Sequence, residues 1–267
     1  MTGPVVVGLD ASPSSATALR WAARAALDRG LPVLLLHSWA TQPLDVPVPQ
    51  GQNGRYQGRE VLRHAAAGLL RRHPDLAVAT ELVRGPAAQA LLDRAEEASM
   101  LVLGSRGHGS AAGFLLGSVA LDVLGLAPCP AVSVRAGLQP TGTGEIVVGT
   151  AHRGAAADPL LEFAFTMAAG QGRGVRAVAT TAGTEAATRA RLADALAPWR
   201  EKFPDVPVTE RTASGPPEQA LPAACSGGWL AVVGRRRGLP QQAWRLGAVA
   251  HAALHHVPCP VAVVPYG

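Results

Sequence analysis

The stretch LVLGSRGHGSAAGFLLGSV, residues 101 to 119, places five glycines after a short apolar run. Glycine lets the main chain turn sharply and lets its N–H groups come close to an anion. The pattern SVALDVLGL predicts a helix that begins near Gly117 and Ser118. Exposed N–H groups and the helix dipole attract phosphate at such a helix start. The stretch is therefore predicted to hold phosphate groups.

A carboxylate, Asp10, follows the first apolar run, PVVVGL. If the strands before Asp10 and before Gly104 are neighbours in a doubly wound sheet, both residues face the crevice beyond the carboxyl ends, where such sheets bind ligands. Two structural alternatives stand beside this interpretation. Asp10 could cap the next helix, and Ser118 could cap its own helix without a ligand.

Two other groups of side chains have types that could do chemistry. His251 and His255 are four residues apart with Cys259 shortly after, a spacing that can bind zinc. No acidic ligand or third ligand set is evident and His256 is not in register, so a helix surface is the better interpretation and no metal site is predicted. The serines of ASPSS, residues 11 to 15, lack the strained G-x-S-x-G turn that activates a serine nucleophile. No catalytic residue is predicted.

The elements that must position these residues alternate between strand-length apolar runs and helical segments. In the first half the runs are PVVVGL, PVLLLHSW, LAVATELV, SMLVLG and PAVSVR. Runs that are apolar on both faces and separated by helices predict a parallel sheet between two helix layers. Ser12 as N-cap and Pro13 at the first helical position predict the first helix, and Pro86 takes the role of Pro13 in the third. The predicted fold class is α/β, with doubly wound five-stranded parallel sheets of order 3-2-1-4-5 flanked by helices.

The chain contains an internal repeat. GPAAQALLDRAEEASMLVLGSR from Gly85 aligns with GPPEQALPAACSGGWLAVVGRR from Gly215, 130 residues later, whereas VVVGLD near the N-terminus aligns with IVVGTA, 141 residues later. The first half therefore has 11 extra residues (141 − 130), which we place in TQPLDVPVPQGQNGRYQG. Its Pro, Gly, Gln and Asn content predicts a loop over residues 41–58. Two tandem domains are predicted, 1–137 and 145–267, joined by a linker within AGLQPTGTG.

Composition argues against several classes of protein. The 267 residues are 48% hydrophobic and 16% charged, as in a packed globular protein rather than a disordered one. No apolar run reaches the roughly 18 residues that a membrane span needs, and no signal segment is evident, so a cytoplasmic location without a membrane partner is expected. The net charge of +5 comes almost entirely from arginine without interleaved aromatic residues, so no nucleic-acid partner is predicted. Cys129, Cys225 and Cys259 lie far apart and are expected to be reduced and buried.

The spacing of the glycines resembles the nucleotide motif of the universal stress protein family, in its tandem form with two domains in one chain. That motif is Gly, two residues, Gly, nine residues, Gly, then Ser or Thr, and Gly104, Gly107 and Gly117-Ser118 have this spacing. A motif of this length between a strand and a helix is far more specific than a lone G-x-G-x-x-G. The resemblance extends over nearly the whole chain, including VGLDASPSSATALRWA near the front and PCPAVSVR and PCPVAVVP at the ends of the halves.

The resemblance implies an ATP site in the first half, with Mg²⁺ as a candidate companion ion. In ATP-binding members the nucleotide is surrounded by the aspartate after the first strand, the main chain after the second strand, the glycine loop and the following helix start. The implied binding residues are Gly8, Leu9, Asp10, Ser38, Leu103, Gly104, Ser105, Arg106, Gly107, His108, Gly109, Gly117, Ser118 and Val119. Arg106 and His108 would add positive charge, although Arg106 could equally be a solvated loop residue. His37 is expected to pack or to hydrogen-bond locally.

The second half departs from this motif at three positions. Ala151 replaces Asp10, Arg237 stands where the second motif glycine is expected, and Ala248 replaces Ser118. We expect this second site to be degraded, although the three consecutive arginines of GRRRG could still attract an anion. One ATP-competent domain is thus predicted to pack with a structural or regulatory one as an intrachain pseudo-dimer. Further pairing into a homodimer is left open.

The function implied is that of an ATP-binding stress-response switch or sensor with an unknown protein partner. ATP would order the glycine loop and favour one surface for that partner. The loop lacks the lysine of G-x-x-x-x-G-K-[ST], and the first half offers no evident base to orient a water, so enzyme activity is at most slow ATP hydrolysis. The alternative from another class is a protein-interaction scaffold of the same fold that has lost nucleotide binding.

Overall fold

The computed structural model describes residues 3–39, 51–105, 116–137, 144–150, 157–181, 183–237 and 246–267, with the main chain alone for 51–53. Contacts divide the chain into two units. The first unit is Met1–Cys129 with Val134–Gly137, and the second is Pro130–Ser133 with Leu138–Gly267. This division differs from the predicted first domain, 1–137, by residues 130–133.

The first unit alternates strands and helices. Its strands are β1 (Val5–Gly8), β2 (Val33–Trp39), β3 (Val78–Arg84), β4 (Met100–Ser105) and the end of β5 (Ala131–Arg135), from Val134 on, and its helices are α1 (Pro13–Leu27), α2 (Gly51–Arg72), α3 (Ala87–Ala95) and α4 (Ser118–Leu126). The strand order is β3-β2-β1-β4-β5. β1 pairs in parallel with β2 on one side and β4 on the other, so Val5 lies opposite both Val33 and Met100. The order reverses between β1 and β4, which is the switch point of a doubly wound sheet.

The central strands of this sheet are covered on both faces. The side chains at 5–7 of β1 and at 100–102 of β4 are all fully buried. Burial on both faces explains why these strands are continuous apolar runs in the sequence rather than alternating patterns. α1 turns an alanine-rich side to the core, with Ala18, Ala22 and Ala25 fully buried beside Trp21.

The starts of two helices test the predicted caps. Ser12 is the N-cap of α1, its hydroxyl accepts a hydrogen bond from the Ser15 N–H at 3.1 Å, and Pro13 is the first helical residue, as predicted. Pro86 is a correction, because it is the N-cap of α3 rather than its first helical residue, with φ −66° and ψ 130°. The fixed φ of proline suits either position, and the turn at Gly85, with φ +140°, leaves Pro86 extended.

The predicted loop over 41–58 is wrong in its second part. α2 begins at Gly51, so residues 51–58 are helical, while 41–50 lie outside the described residues. A Cβ on Gly54 would lie 3.8 Å from Cε3 of Trp39, and one on Gly58 only 2.7 Å from Cδ2 of His37. Close packing of α2 on β2 therefore outweighs the low helix propensity of these glycines.

The second unit repeats the architecture. Its strands are β6 (Ile146–Gly149), β7 (Val175–Thr180), β8 (Val208–Ala213), β9 (Leu230–Arg236) and β10 (Val261–Tyr266), and its helices are α5 (Asp158–Gly170), α6 (Glu185–Lys202), α7 (Pro217–Ala224) and α8 (Ala248–His256). The strand order is β8-β7-β6-β9-β10, which is again 3-2-1-4-5. This unit also includes residues 131–133 of β5, which pair antiparallel with Val261–Val263. The predicted α/β fold with two tandem units is confirmed.

Two further expectations concern single features. None of the described helices is long and apolar enough to cross a membrane. All three cysteines are buried thiols outside any disulfide, as expected. Burial raises the pKa of Cys129 to about 11 and raises that of Cys225 further, so neither thiol is a ready nucleophile at neutral pH.

Candidate functional site

A cavity of about 230 Å³ lies at the carboxyl ends of β1 and β4, at the switch point of the first unit. Its lining consists of Gly8, Leu9, Asp10, Ser14, Ser15, Leu36, Ser38, Ala87, Leu91, Leu103, Gly104, Ser105, Gly117, Ser118, Val119 and Ala120. Leucines from β2, β4 and α3 and the leucine that follows β1 form its apolar part. Serines, main-chain groups and one carboxylate form the polar part, so the cavity suits a ligand with both characters.

The Asp10 carboxylate is held by a tight turn between β1 and α1. Its Oδ1 accepts a hydrogen bond from the Ser12 N–H at 3.0 Å. Between them Ala11 has φ +63°, a left-handed conformation that no other non-glycine residue among those described adopts. This conformation costs about 1 kcal/mol or more for a residue with a Cβ. Because Ser12 caps α1, the alternative role of Asp10 as the helix cap is not realised.

The same turn keeps Asp10 ionised. Burial alone would raise the pKa of Asp10, but hydrogen bonds from Ser12 and Ser15 outweigh it and hold the pKa below its ordinary value. The carboxylate is therefore charged at neutral pH and offers acceptors to a ligand. It would repel a phosphate and attract N–H or O–H donors.

Gly104 brings β4 against the first turn of α1. A Cβ there would lie 2.4 Å from the carbonyl carbon of Ser14 and 2.6 Å from the nitrogen of Ser15, closer than any real side chain comes. The glycine spacing predicted that Gly104 serves the close approach of an anion. In the structure the main chain of α1 comes this close instead. That contact is sufficient by itself to require glycine at 104.

The N-terminus of α4 opens on the cavity. Gly117 is the N-cap, with φ −64°, ψ 153° and no side-chain cap, and Ser118 is the first helical residue rather than the cap that the sequence allowed. A Cβ on Gly117 would have no heavy atom within 4 Å among the described residues. Neither its backbone conformation nor packing against the described residues therefore requires glycine at 117. The open space lies where a ligand would reach the first N–H groups of α4.

Ser105 adds a second polar group to this part of the cavity. It is the last residue of β4 and is 3% exposed, and its Oγ has no hydrogen-bond partner among the described residues. Leaving a buried hydroxyl without a partner costs about 1–3 kcal/mol. A ligand that hydrogen-bonds in the cavity would remove this cost.

The end of β2 closes the cavity on its other side. The Ser38 hydroxyl donates to the Gly85 carbonyl, and the Gly85 N–H donates to the Trp39 carbonyl at 3.1 Å. These two bonds fasten the turn between β3 and α3 to β2, so that Ala87 and Leu91 of α3 reach the cavity. Nδ1 of His37 lies 2.7 Å from the Leu9 carbonyl oxygen, which is the local hydrogen bond expected from the sequence.

The structure brings most of the sequence-predicted site residues together. Ten of them line the one cavity: Gly8, Leu9, Asp10, Ser38, Leu103, Gly104, Ser105, Gly117, Ser118 and Val119. Arg106, Gly107, His108 and Gly109 lie outside the described residues. Contact between these residues and a nucleotide stays a prediction.

Comparison with known proteins decides the family. The model described as "Universal stress protein family" matches residues 1–135 and 166–265. The chain belongs to the universal stress protein family. A universal stress protein of Mycolicibacterium smegmatis is 31% identical over 285 residues, which cover 97% of this chain and 96% of that protein. One of Mycobacterium tuberculosis is 30% identical over 258 residues, which cover 87% of this chain and 86% of that protein.

A solved structure supports the fold of this universal stress protein. The crystal structure of a universal stress protein from Archaeoglobus fulgidus has a TM-score of 0.78 and covers 99% of this chain and 98% of its own. The identity is 16%, so the likeness shows the fold and not the ligand.

Sequence reasoning missed six residues that line the cavity of this universal stress protein. They are Ser14, Ser15, Leu36, Ala87, Leu91 and Ala120. A signal for some of them was present, since Ala87 and Leu91 are four residues apart and share one face of α3. The serines follow the N-cap directly and reach the cavity because Gly104 lets α1 come close to β4.

In the second unit of this universal stress protein, the equivalent strand end has different neighbours. Gly234 corresponds to Gly104, 130 residues earlier. A Cβ on Gly234 would meet the Tyr266 ring at 2.7 Å and Cδ2 of Leu160 at 3.1 Å, which are side-chain rather than main-chain atoms. The second unit keeps the glycine, but here the glycine makes room for side chains and not for the main chain of a helix.

The residue after that glycine differs even more. Arg235 stands where the first unit has Ser105, and it is only 6% exposed. Burial, and after it the nearby Arg237, lower the pKa of Arg235. Gly247 is the N-cap of α8 and, like Gly117, has no heavy atom of a described residue within 4 Å of its Cβ position. A large cation therefore replaces a small hydroxyl at this strand end, and loss of nucleotide binding there stays a prediction.

The histidines considered for a metal lie on α8. The rings of His251 and His255 are 4.4 Å apart. Among the described residues, no three His, Cys, Asp or Glu side chains are close enough together to hold a metal ion. The pair therefore has no third protein ligand within the described part of the chain.

Proposed function

We propose that the first unit binds ATP in this cavity and that the protein acts as a nucleotide-dependent switch in the stress response. One observation supports this most directly: Ser105 Oγ, buried without a partner among the described residues, and the uncapped start of α4 line the same cavity. Both can donate hydrogen bonds, and both gain from an acceptor with negative charge. A phosphate group is such an acceptor.

The rest of the cavity suits the nucleoside. Leu36, Leu91 and Leu103 supply apolar surface for a base, and the ionised Asp10 supplies acceptors for amino or hydroxyl donors. Because this carboxylate repels phosphate, the ligand would bind with its phosphates toward α4 and its donors toward Asp10. At about 230 Å³ the cavity is smaller than the roughly 300–1,000 Å³ of most ligand sites, so base and ribose would fill it and the phosphates would lie at its opening.

A magnesium ion would come with the nucleotide. The described residues contain no group of three or more side chains that could hold a metal, so Mg²⁺ would be held mainly by the phosphate oxygens. Occupancy would add contacts at the end of β4 and at the start of α4. A partner that recognises the surface of the occupied state would then respond to the nucleotide.

Equilibrium binding of a fluorescent ATP analogue tests the proposal, with Gly117→Val as the blocking variant. The valine side chain would fill the open space in front of the α4 N–H groups. Gly247→Val is the matched control, because it makes the same change at the equivalent helix start of the second unit. We expect a dissociation constant on the order of micromolar for the wild type and for Gly247→Val. Gly117→Val should not bind measurably.

The outcomes separate the alternatives. Absence of binding to the wild type at millimolar nucleotide would reject the switch and leave the protein-interaction scaffold. Loss of binding in Gly247→Val but not in Gly117→Val would move the site to the second unit. Both variants place their new side chains in space that no described residue fills, so their urea unfolding curves should match the wild type within about 1 kcal/mol.

A further inference from the structure

His37 fastens β2 to the residue that follows β1. The Leu9 N–H donates to the Leu36 carbonyl at 2.9 Å, and the Leu9 carbonyl oxygen lies 2.7 Å from Nδ1 of His37. A carbonyl oxygen can only accept, so Nδ1 must carry the hydrogen. Leu9 is thus held on both sides by β2, once by main chain and once by a side chain.

The imidazole ring of His37 is confined on its opposite edge. A Cβ on Gly58 would lie 2.7 Å from Cδ2 and 3.2 Å from Nε2 of this ring, so the main chain of α2 packs directly against it. One edge of the ring therefore faces α2 and the other bonds Leu9. This confinement leaves the ring little freedom to release the Leu9 carbonyl.

The held carbonyl immediately precedes the strained turn of the cavity. Leu9 and Asp10 both line the cavity, and Ala11 follows with φ +63°. A left-handed alanine persists only where its surroundings fix it. The Ser12 N–H fixes the turn from one end through Asp10, and the bond from His37 is in the right place to fix it from the other.

We propose that His37 is a positioning residue for the cavity: its Nδ1–H fixes the Leu9 carbonyl and so sets where the Asp10 carboxylate meets the ligand. This inference rests on the proposed function for its consequence in binding. It assigns no contact between His37 and the ligand. His37 acts through Leu9 and the turn after it.

Two substitutions of equal polarity test this role. In His37→Asn the amide nitrogen is bonded to Cγ, as Nδ1 is, and can donate to Leu9. In His37→Gln the amide nitrogen lies one carbon further out, toward α2, and cannot replace that bond. We expect His37→Asn to keep the ATP dissociation constant within about threefold and His37→Gln to raise it about tenfold, the effect of one lost hydrogen bond. His256→Gln is the control, since His256 is an exposed residue at the end of α8 in the second unit and does not line the cavity.

A second readout does not depend on ATP. The amide resonance of Ser12, whose N–H donates to Asp10, should shift in His37→Gln and stay in place in His37→Asn. Equal effects of the two substitutions on affinity and on this resonance would overturn the positioning role. If the wild type fails to bind ATP but the Ser12 resonance separates the two variants, the proposed function fails and the positioning role stands.

Discussion

The carboxyl ends of β4 and β9 occupy the same place in the two units and differ in what surrounds them. At β4 a glycine admits the main chain of α1, and the next residue is a serine whose hydroxyl has no hydrogen-bond partner among the described residues. At β9 the glycine faces Tyr266, and the next residue is a buried arginine. The fold and the separation between the first and last motif glycines, Gly104 to Gly117 and Gly234 to Gly247, persist in both units, whereas the chemistry of the strand end does not. The glycine pattern alone therefore does not report which ligand a unit can take.

The largest expected effect tests the two glycines against each other. Gly104→Ala should lower the free energy of unfolding by about 3 kcal/mol or more, because the main-chain atoms of Ser14 and Ser15 cannot move aside. Gly234→Ala should cost about 1 kcal/mol, because the Tyr266 ring can rotate away. Urea unfolding of the two variants measures both values. Equal losses would show that the two strand ends are packed alike.

A smaller effect concerns the ion pairs that brace each unit. Glu145 accepts hydrogen bonds from Nε of Arg176 at 2.7 Å and from the Thr209 hydroxyl at 2.8 Å. Among the described contacts, Glu81 accepts hydrogen bonds only from Arg94, whose Nε is 2.8 Å away. The Arg94 side chain is 42% exposed and that of Arg176 is 23% exposed. We expect Glu145→Gln to cost about 2 kcal/mol and Glu81→Gln less than about 1 kcal/mol.

The two ion pairs should also differ in how their stability contributions respond to salt. The loss in Glu81→Gln should shrink in 0.5 M NaCl, because exposed charges are screened, while the loss in Glu145→Gln should change little. Urea unfolding at low and high salt gives both numbers. A Glu145→Gln loss that disappears with salt would mean that its network behaves as a surface pair.

The smallest effect is a dependence of folding stability on pH. Asp10 should cause it in the first unit only, because Ala151 stands at the equivalent position of the second unit. The pKa of Asp10 is lowered in the folded protein, so its contribution is complete above the ordinary value of 3.8 and is lost as the pH falls through the lower folded value. Asp10→Asn should therefore be less stable than the wild type at pH 6, by less than about 1 kcal/mol because the group is partly solvated. The gap should close in more acidic solution, and a gap that widens there would contradict the assignment.

Much of the fold could be predicted because its signals are local. Continuous apolar runs predicted strands buried on both faces, and Ser12 with Pro13 predicted the start of α1. The segment 51–58 was predicted wrongly because its glycines signal a loop locally, whereas the structure uses Gly54 and Gly58 to pack α2 against Trp39 and His37. That packing partner is distant in sequence, so no window of α2 alone reveals it.

The site divides in the same way. The glycine spacing predicted that Gly104 and Gly117 both serve phosphate binding. The structure gives the two glycines different surroundings. Gly104 is required by the protein's own main chain, and Gly117 is required by no described contact. Leu91 and Ser14 were missed because they reach the cavity through α3 and α1: the spacing of Ala87 and Leu91 shows that they share a helix face, but not which strand end that face meets.

The groups that the start of α4 offers beside Gly117 are main-chain N–H groups, and that has a consequence for how such a protein can change over generations. Every residue except proline has the same main-chain N–H, so almost any other replacement elsewhere in α4 leaves these groups in place. A recess of this kind is disabled by adding atoms in front of it, as one bulky side chain at a neighbouring strand end would do, rather than by deleting a specific group. Substitution by a larger residue is enough to block the recess. Substitution of that residue by a smaller one would be enough to open it again.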